Sequence, residues 1–461
     1  MKRMYVKHTR ASTADFDEEV CQLRKSWFII VSRSKLLLLI GGGIAFLLLI
    51  LIIGYVILFG RSSGATPVVL TTKAITLEFW GVFDDSDVYQ PIIDAYQKKH
   101  PNISIHYRKF LYDDYEGNLI SALASRKGPD IFMVHNTWLS KHQDKLDPSP
   151  APPSSIYSQA FTSQTAQDFV RSNKVYAYPL FIDNLALFYN RDLFAKEGFS
   201  EPPLDWDQFS KYVKALTRFS PNGDLLHSGA AIGGSSKTIN RATDILLLLF
   251  LQNGVEPIDS IKKEIPWKND PTALASVKDA IRFYAAFADP SDPLYTWNER
   301  QQYSIDAFYT GNVAMMFNYA YNIPVIKAKA PYLNFAVARL PRKGGSITLT
   351  NYWGAGVSNQ AAFKKEAWDF LDFLTSKEQY QGYIQTTGRL SSRSDILETQ
   401  KDDPLLNPFI QQARDMVTPY QPDEVKLQSI FDELILSATA RSATLEEALH
   451  KTADRLQLLV Q

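Results

Sequence analysis

The sequence predicts an α/β protein built on a parallel sheet, with one transmembrane helix ahead of it. Three observations carry that prediction. An uncharged run of 25 residues, LLLLIGGGIAFLLLILIIGYVILFG, occupies 36–60. Beyond it, apolar positions recur every second residue in some short stretches and every third or fourth in others, in the order strand, helix, strand, helix, strand. At 461 residues the chain is also too long for one ordinary core, so two or three domains are expected.

A helix over 36–60 would be about 37 Å long at a rise of ~1.5 Å per residue. That spans a hydrocarbon core of about 30 Å with some tilt. A core helix would keep a polar face, and a cleavable signal has an apolar region of only about 7–15 residues. Residues 1–35 carry eight Lys/Arg, ending in Arg24, Lys25, Arg33 and Lys35, whereas only Arg61 lies close on the other side. The positive-inside rule makes 1–35 a cytoplasmic tail and puts 61–461 outside the cell. Removing the eight basic and four acidic residues of 1–60 leaves 41 basic and 45 acidic. That balance offers no field for nucleic acid. Cys21, the single cysteine, precedes the apolar run, so the outer part has no disulfide. A lipid-modified form would need a Cys just after the run, where the chain reads GRSSGATP. The peptide itself is the expected anchor. Residues 61–74 read as a linker of at most about 50 Å when extended.

The elements follow in order. Ile75, Leu77 and Phe79 alternate as a strand. Val88, Ile92, Ala95 and Tyr96 recur at helical spacing, with Pro91 expected in the first turn. Ile103, Ile105 and Tyr107 alternate again, a helix covers about 113–126, and DIFMV at 130–134 is a third strand. This alternation implies parallel strands with right-handed crossovers. The middle is mostly helical. Asp205 and Gln208 resemble a capping box ahead of Trp206, Phe209, Val213 and Leu216. Asp270 and Pro271 open a helix with Leu274, Val277, Ile281, Tyr284 and Ala288 on one stripe. Phe363, Ala367, Phe370, Leu371 and Leu374 give a third, and Thr444 with Glu447 caps the last. Short apolar strands lie between: LALFYN at 185–190, VAMMFN at 313–318, FAVARL at 335–340 and WGAGVS at 353–358.

In an open parallel sheet, ligands bind outside the carboxyl ends of the strands. The residues following each strand are therefore pocket candidates. Trp80, Asp84 and Asp85 follow the first strand; His135, Asn136 and Trp138 follow DIFMV. Asp183 and Asn184 lie at the crossover FIDNLA, Tyr321 follows VAMMF, and Trp353 stands in TNYWGAG with Asn351 and Tyr352. The set is rings, carboxylates and amides. Carboxylates and amides bond hydroxyl groups, and flat rings cover the apolar faces of a sugar. An anion site would show Gly-rich helix starts or clustered Arg, and the sequence shows neither. Each residue also has a plainer reading. Trp80 could be core, Asp84 or Asp85 could cap the next helix, and Asn136 could be a turn residue. Tyr352 reads as packing. Asp183 is harder to dismiss, because it follows the apolar YPLFI, where an unpaired carboxylate is costly.

At these residues the chain resembles the bacterial extracellular solute-binding proteins of family 1, the maltose-binding-like group. The resemblance covers about 74–461 and rests on ITLEFWG, GPDIFMV, YAYPLFIDNLALFYNRDLF, AFYTGNVAMMFNYAY, KKEAWDFLDFLTSKEQY and TTGRLSSRSDI, in the family's order. It implies a two-lobed periplasmic-binding-protein-like fold with hinge-crossing strands and a sugar between the lobes. Lobe one would comprise 74–182 and 334–389, and lobe two 184–332 and 390–461. By motif position Asp183 falls where the family has an acidic sugar ligand, and Tyr321 where it has a stacking Trp. Tyr offers a smaller face than Trp, and only Phe431 is a loose counterpart of the family's C-terminal aromatic pair. Both departures count against long maltodextrins. The membrane helix departs from the family's usual lipid anchor or free form.

The expected protein is a monomeric, membrane-anchored receptor of an ABC importer. It takes a carbohydrate as ligand and ABC permease subunits as partners, with no cofactor, no metal and no enzymatic activity. A ligand sensor signalling through the helix to a cytoplasmic partner is the alternative. A glycosidase is a further rival, since it needs two carboxyls about 5–9.5 Å apart and Asp183 could oppose Asp84 or Asp85. Paired tyrosines can bind iron, but Tyr319 and Tyr321 are not expected to.

Overall fold

The computed structural model describes residues 47–53, 73–152 and 156–461. The tail 1–35, most of the apolar run 36–60 and the linker up to residue 72 lie outside the described residues. Within the run, residues 47–53 are helical and exposed. Among the described residues no helix is long and apolar enough to cross a membrane.

From residue 73 onward the alternation seen in the sequence becomes a sheet. Ile75–Val82 pairs in parallel with Ile103–Phe110 on one side and Ile131–His135 on the other. Their alternate side chains, among them Leu77, Phe79 and Ile105, are buried. The helices Ser86–Lys99 and Tyr112–Ala124 connect these strands. The first starts at Ser86, which places Pro91 in its second turn, not its first. Trp353–Ser358 then enters the sheet antiparallel to Ile131–His135, with Trp353 opposite His135. Leu146–Asp147 and Tyr178–Pro179 pair with its other edge. The inserted strand has room for little: a Cβ on Gly356 would sit 2.5 Å from the Tyr176 carbonyl oxygen.

A second, smaller sheet has Leu185–Asn190 at its centre, antiparallel to Met315–Tyr319 and Phe335–Ala338. Helices enclose it. Ala242–Gln252 is buried on nearly every side, as ATDILLLLFLQ has no polar stripe. Asp270 caps Pro271–Ala286, accepting from Thr272 and Ala273 N–H. Thr444 and Glu447 form the full capping box. Asp205 makes only half of one: it accepts from Gln208 N–H, while Gln208 reaches back to Leu204 N–H.

These elements bury two hydrophobic cores, one around Phe79, Met133 and Phe370, the other around Phe188, Leu247 and Phe431. Two lobes result. The strand Phe335–Ala338 belongs to the second, because it pairs with Leu185–Asn190 and Val337 lies in the second core. The sequence assigned 334–349 to lobe one; pairing moves it to lobe two, and the return crossing comes near 350. The chain passes between lobes at Phe181–Asn184, at Thr350–Tyr352 and again between Ile384, in the first core, and Leu390, in the second. The bridges Ile182 to Leu390 and Asn184 to Thr350 tie these passages together.

Candidate functional site

The crossings leave a cleft between the cores, with a central cavity of about 350 Å³. Trp353 is the hub of its wall. As the first residue of its strand it stands at the carboxyl end of Ile131–His135. The rings of Phe83 and Tyr112 meet it edge-on at 5.7 and 6.2 Å, and Trp138 at 5.1 Å. Phe83 and Tyr112 are stacked on each other at 5.8 Å. From lobe two, Tyr321 and Arg241 face the same space, and Asp183, Asn351 and Arg389 line it at the crossings. A side arm of about 290 Å³ continues past Tyr112 and Trp353 to Trp138, Glu116 and Glu424. A third cavity, about 180 Å³, adjoins at Arg241 and Glu424.

Asp183 sits at the floor, buried. One carboxylate oxygen accepts from the N–H groups of Ala320 (2.8 Å) and Asn184 (2.9 Å), the other from Tyr321 N–H (3.0 Å). Burial pushes its pKa up to about 7, against the lowering pull of those three donors. In the side arm Glu116 goes the other way, to about 2, chiefly through its hydrogen bond with His142 and then Lys141.

Four residues of the sequence-derived set line these cavities: Asp183, Tyr321 and Trp353 in the centre and Trp138 in the side arm. Two more support them from behind. His135 packs its ring on Trp353 at 5.2 Å and lies 3.4 Å from Asn351 Oδ1. Asn136 donates to Thr350 and Thr418, joining lobe one to the crossing.

The other four do not reach the cleft. Trp80 is covered by Phe110 at 4.5 Å and by the Arg108 guanidinium. Asp84 is buried against Arg389 at 2.6 Å and accepts from Tyr383 at 2.9 Å. Asp85 turns out to Lys109 at 2.9 Å. Asn184 is consumed by Phe409 O and Gln412. The ring contributed by the turn that follows Ile75–Val82 is Phe83, not Trp80. With Asp84 enclosed, the cavity gains no second carboxylate from this turn to oppose Asp183. Phe431 is fully buried in the second core, its ring 5.7 Å from Phe250.

The residues that sequence reading missed are Phe83, Tyr112, Arg241 and Arg389. Phe83 and Arg241 both have φ of 68°, a left-handed conformation that costs a non-glycine residue about 1 kcal/mol or more. The one sequence signal was the position of Phe83, between the strand end and Asp84.

The chain belongs to a known family: a family model described as bacterial extracellular solute-binding protein matches residues 91–408. It is similar to a maltotriose-binding protein of Pyrococcus abyssi, 24% identical over 342 residues that cover 71% of this chain and 68% of that one. It is 23% identical to a multiple sugar-binding protein of Streptococcus mutans, covering 68% and 74%. Its fold is similar to that of a cyclic α-maltosyl-1,6-maltose binding protein from Arthrobacter globiformis. The TM-score is 0.69 at 20% identity, covering 84% of this chain and 98% of that one.

Proposed function

We propose that this protein is the membrane-tethered receptor of an ABC importer, taking a sugar or oligosaccharide between its two lobes outside the cell. The observation that carries this reading is the cleft itself. Flat rings from lobe one (Phe83, Tyr112, Trp353) face Tyr321 of lobe two across a floor of Asp183 and Asn351. Rings cover the apolar faces of a pyranose while amide and carboxylate groups take its hydroxyls. The relatives named as sugar-binding support the same class of ligand. A ligand that touches both walls favours the closed form by its differential contacts, and the crossings near 182 and 350 are the hinge. Closure then signals occupancy to the permease. Residues 36–60 hold the receptor beside that permease, which raises its effective concentration without further contacts. The receptor acts as a monomer and does no chemistry on its ligand.

A thermal-shift screen of the purified full chain in detergent tests this. Mono- and oligosaccharides are compared with amino acids, peptides and polyamines. A true ligand at 100 times its dissociation constant adds about 2.7 kcal/mol of stability. Stabilisation by another class of solute and by no sugar rejects the carbohydrate assignment.

A further inference from the structure

We propose that the ligand is a sugar bearing an anionic group, a carboxylate or a phosphate, clamped between Arg241 of lobe two and Arg389 beside lobe one. This rests on the sugar reading and narrows it. The two arginines are far apart in sequence, yet both line the central cavity.

Each guanidinium is oriented by the same kind of support. Arg389 donates through Nη2 to Asp84 (2.6 Å), which Tyr383 (2.9 Å) also holds, and lies over the Phe181 ring at 4.2 Å. Arg241 donates through Nε to Asp244 (2.6 Å), which Tyr319 (2.9 Å) also holds, and lies over the Tyr319 ring at 4.7 Å. A carboxylate and a ring thus fix both planes. A guanidinium carries five N–H donors in a rigid fork. Arg241 also reaches Asp244 through Nη2 (2.5 Å), so these bonds occupy one nitrogen of Arg389 and two of Arg241, and the other N–H groups are those a ligand in the cavity would meet.

What faces those donors matters as much. Among the described residues lining the central cavity, Asp183 is the one carboxylate, and three backbone N–H groups already bond its two oxygens. Glu424 adjoins Arg241 alone, from the third cavity, so the acceptor that both forks can reach together is one brought by a ligand in the central cavity. Hydroxyl oxygens can accept, but planar or tetrahedral oxyanions match the forks in pairs and form the stronger, charge-assisted bonds. An anion reached from both sides would also tie the lobes together in the closed form. Asp84 and Asp244 offset much of the net positive charge. Selectivity then comes from fork geometry at short range, so binding should depend only moderately on salt.

The test is titration calorimetry and melting on the full chain in detergent. The probes are galacturonate and glucuronate di- and trisaccharides, glucose 6-phosphate, and their neutral galactose and glucose counterparts. Anionic sugars are expected to bind at least about tenfold tighter than their neutral counterparts. Tight uronates with weak sugar phosphate identify the carboxylate source, and the reverse identifies phosphate. Arg241→Gln should lose the anionic preference by a similar factor, read as the ratio of anionic to neutral affinity within the same variant. Arg241→Lys, which keeps the charge and loses the fork, should lose part of it. Neutral sugars binding as tightly as anionic ones would overturn the clamp and leave the sugar reading standing. Failure of every sugar, neutral and anionic, would overturn both. Unaltered anionic binding by a folded Arg241→Gln variant would also overturn the clamp.

Discussion

The backbone N–H of Tyr321 lies 3.0 Å from the Asp183 carboxylate, so the hinge acid holds the turn that carries the lobe-two ring. An ionised carboxylate suits three N–H donors, yet its burial favours the protonated form, and the result is a pKa near 7. In the unfolded chain an aspartate titrates near ~3.9. Between those values the native state keeps a proton that the unfolded chain has released. Stability from this group is therefore fully present below about pH 4 and falls as pH rises through about 7. Asp183→Asn removes the titration, although its amide nitrogen then opposes an N–H donor and lowers stability at every pH. Urea unfolding of both proteins from pH 4 to 8 should show the wild-type advantage shrinking by up to about 4 kcal/mol as pH rises. A constant difference would mean the carboxylate is ionised throughout.

Asp84 and Arg389 form a buried pair, with side chains 6% and 17% exposed. Removing one partner strands the other. Arg389→Leu alone should cost about 3–5 kcal/mol, because Asp84 keeps only tyrosine hydroxyls as partners. The double variant Asp84→Asn/Arg389→Leu should recover more than half of that. Denaturant midpoints with unchanged slopes check the cycle; simple additivity would mean the two side chains do not depend on each other.

Fold and site were not equally legible in the sequence. Periodicity found the parallel strands at 75 and 103, which bury alternate side chains, whereas the strand at 131 is buried throughout and was legible as a short apolar run. The lobe bounds implied by the resemblance put Phe335–Ala338 in lobe one; an apolar run does not state its partner, and pairing with Leu185–Asn190 puts it in lobe two. Strand ends led to Asp183, Tyr321 and Trp353. They also led to Asp84 and Asp85, since a carboxylate after a strand looks the same whether it meets a ligand, Arg389 or Lys109. Arg241 and Arg389 were invisible because their common cavity exists only once the lobes come together.

The anchor has its own test. If 36–60 spans the membrane with 1–35 inside, the full chain sediments with membranes and withstands high-salt washing. External protease on intact cells should remove the 61–461 portion. Deleting 1–60 should release the protein into the soluble fraction with its melting temperature unchanged. Solubility of the full chain without detergent would remove the tether from the proposal.

Phe83 separates binding from folding most cleanly. Its φ of 68° is a conformation that glycine adopts freely and phenylalanine does not. Phe83→Gly relieves that strain, loses a 39%-exposed ring and frees the unfolded backbone. Those effects oppose one another, so stability should change by no more than about 1 kcal/mol. Tyr112, also exposed, should tolerate Ala equally well. Both variants take a ring from the cleft wall, so each should weaken binding of the sugar found by screening about tenfold or more, at about 1 kcal/mol or above for an aromatic contact. Trp353→Ala is the contrast: buried among five neighbouring rings, it should cost about 3–5 kcal/mol of stability as well as affinity. Equal affinity in wild type and Phe83→Gly would mean the strained ring serves packing alone, and the lobe-one wall would then rest on Trp353 and Tyr112.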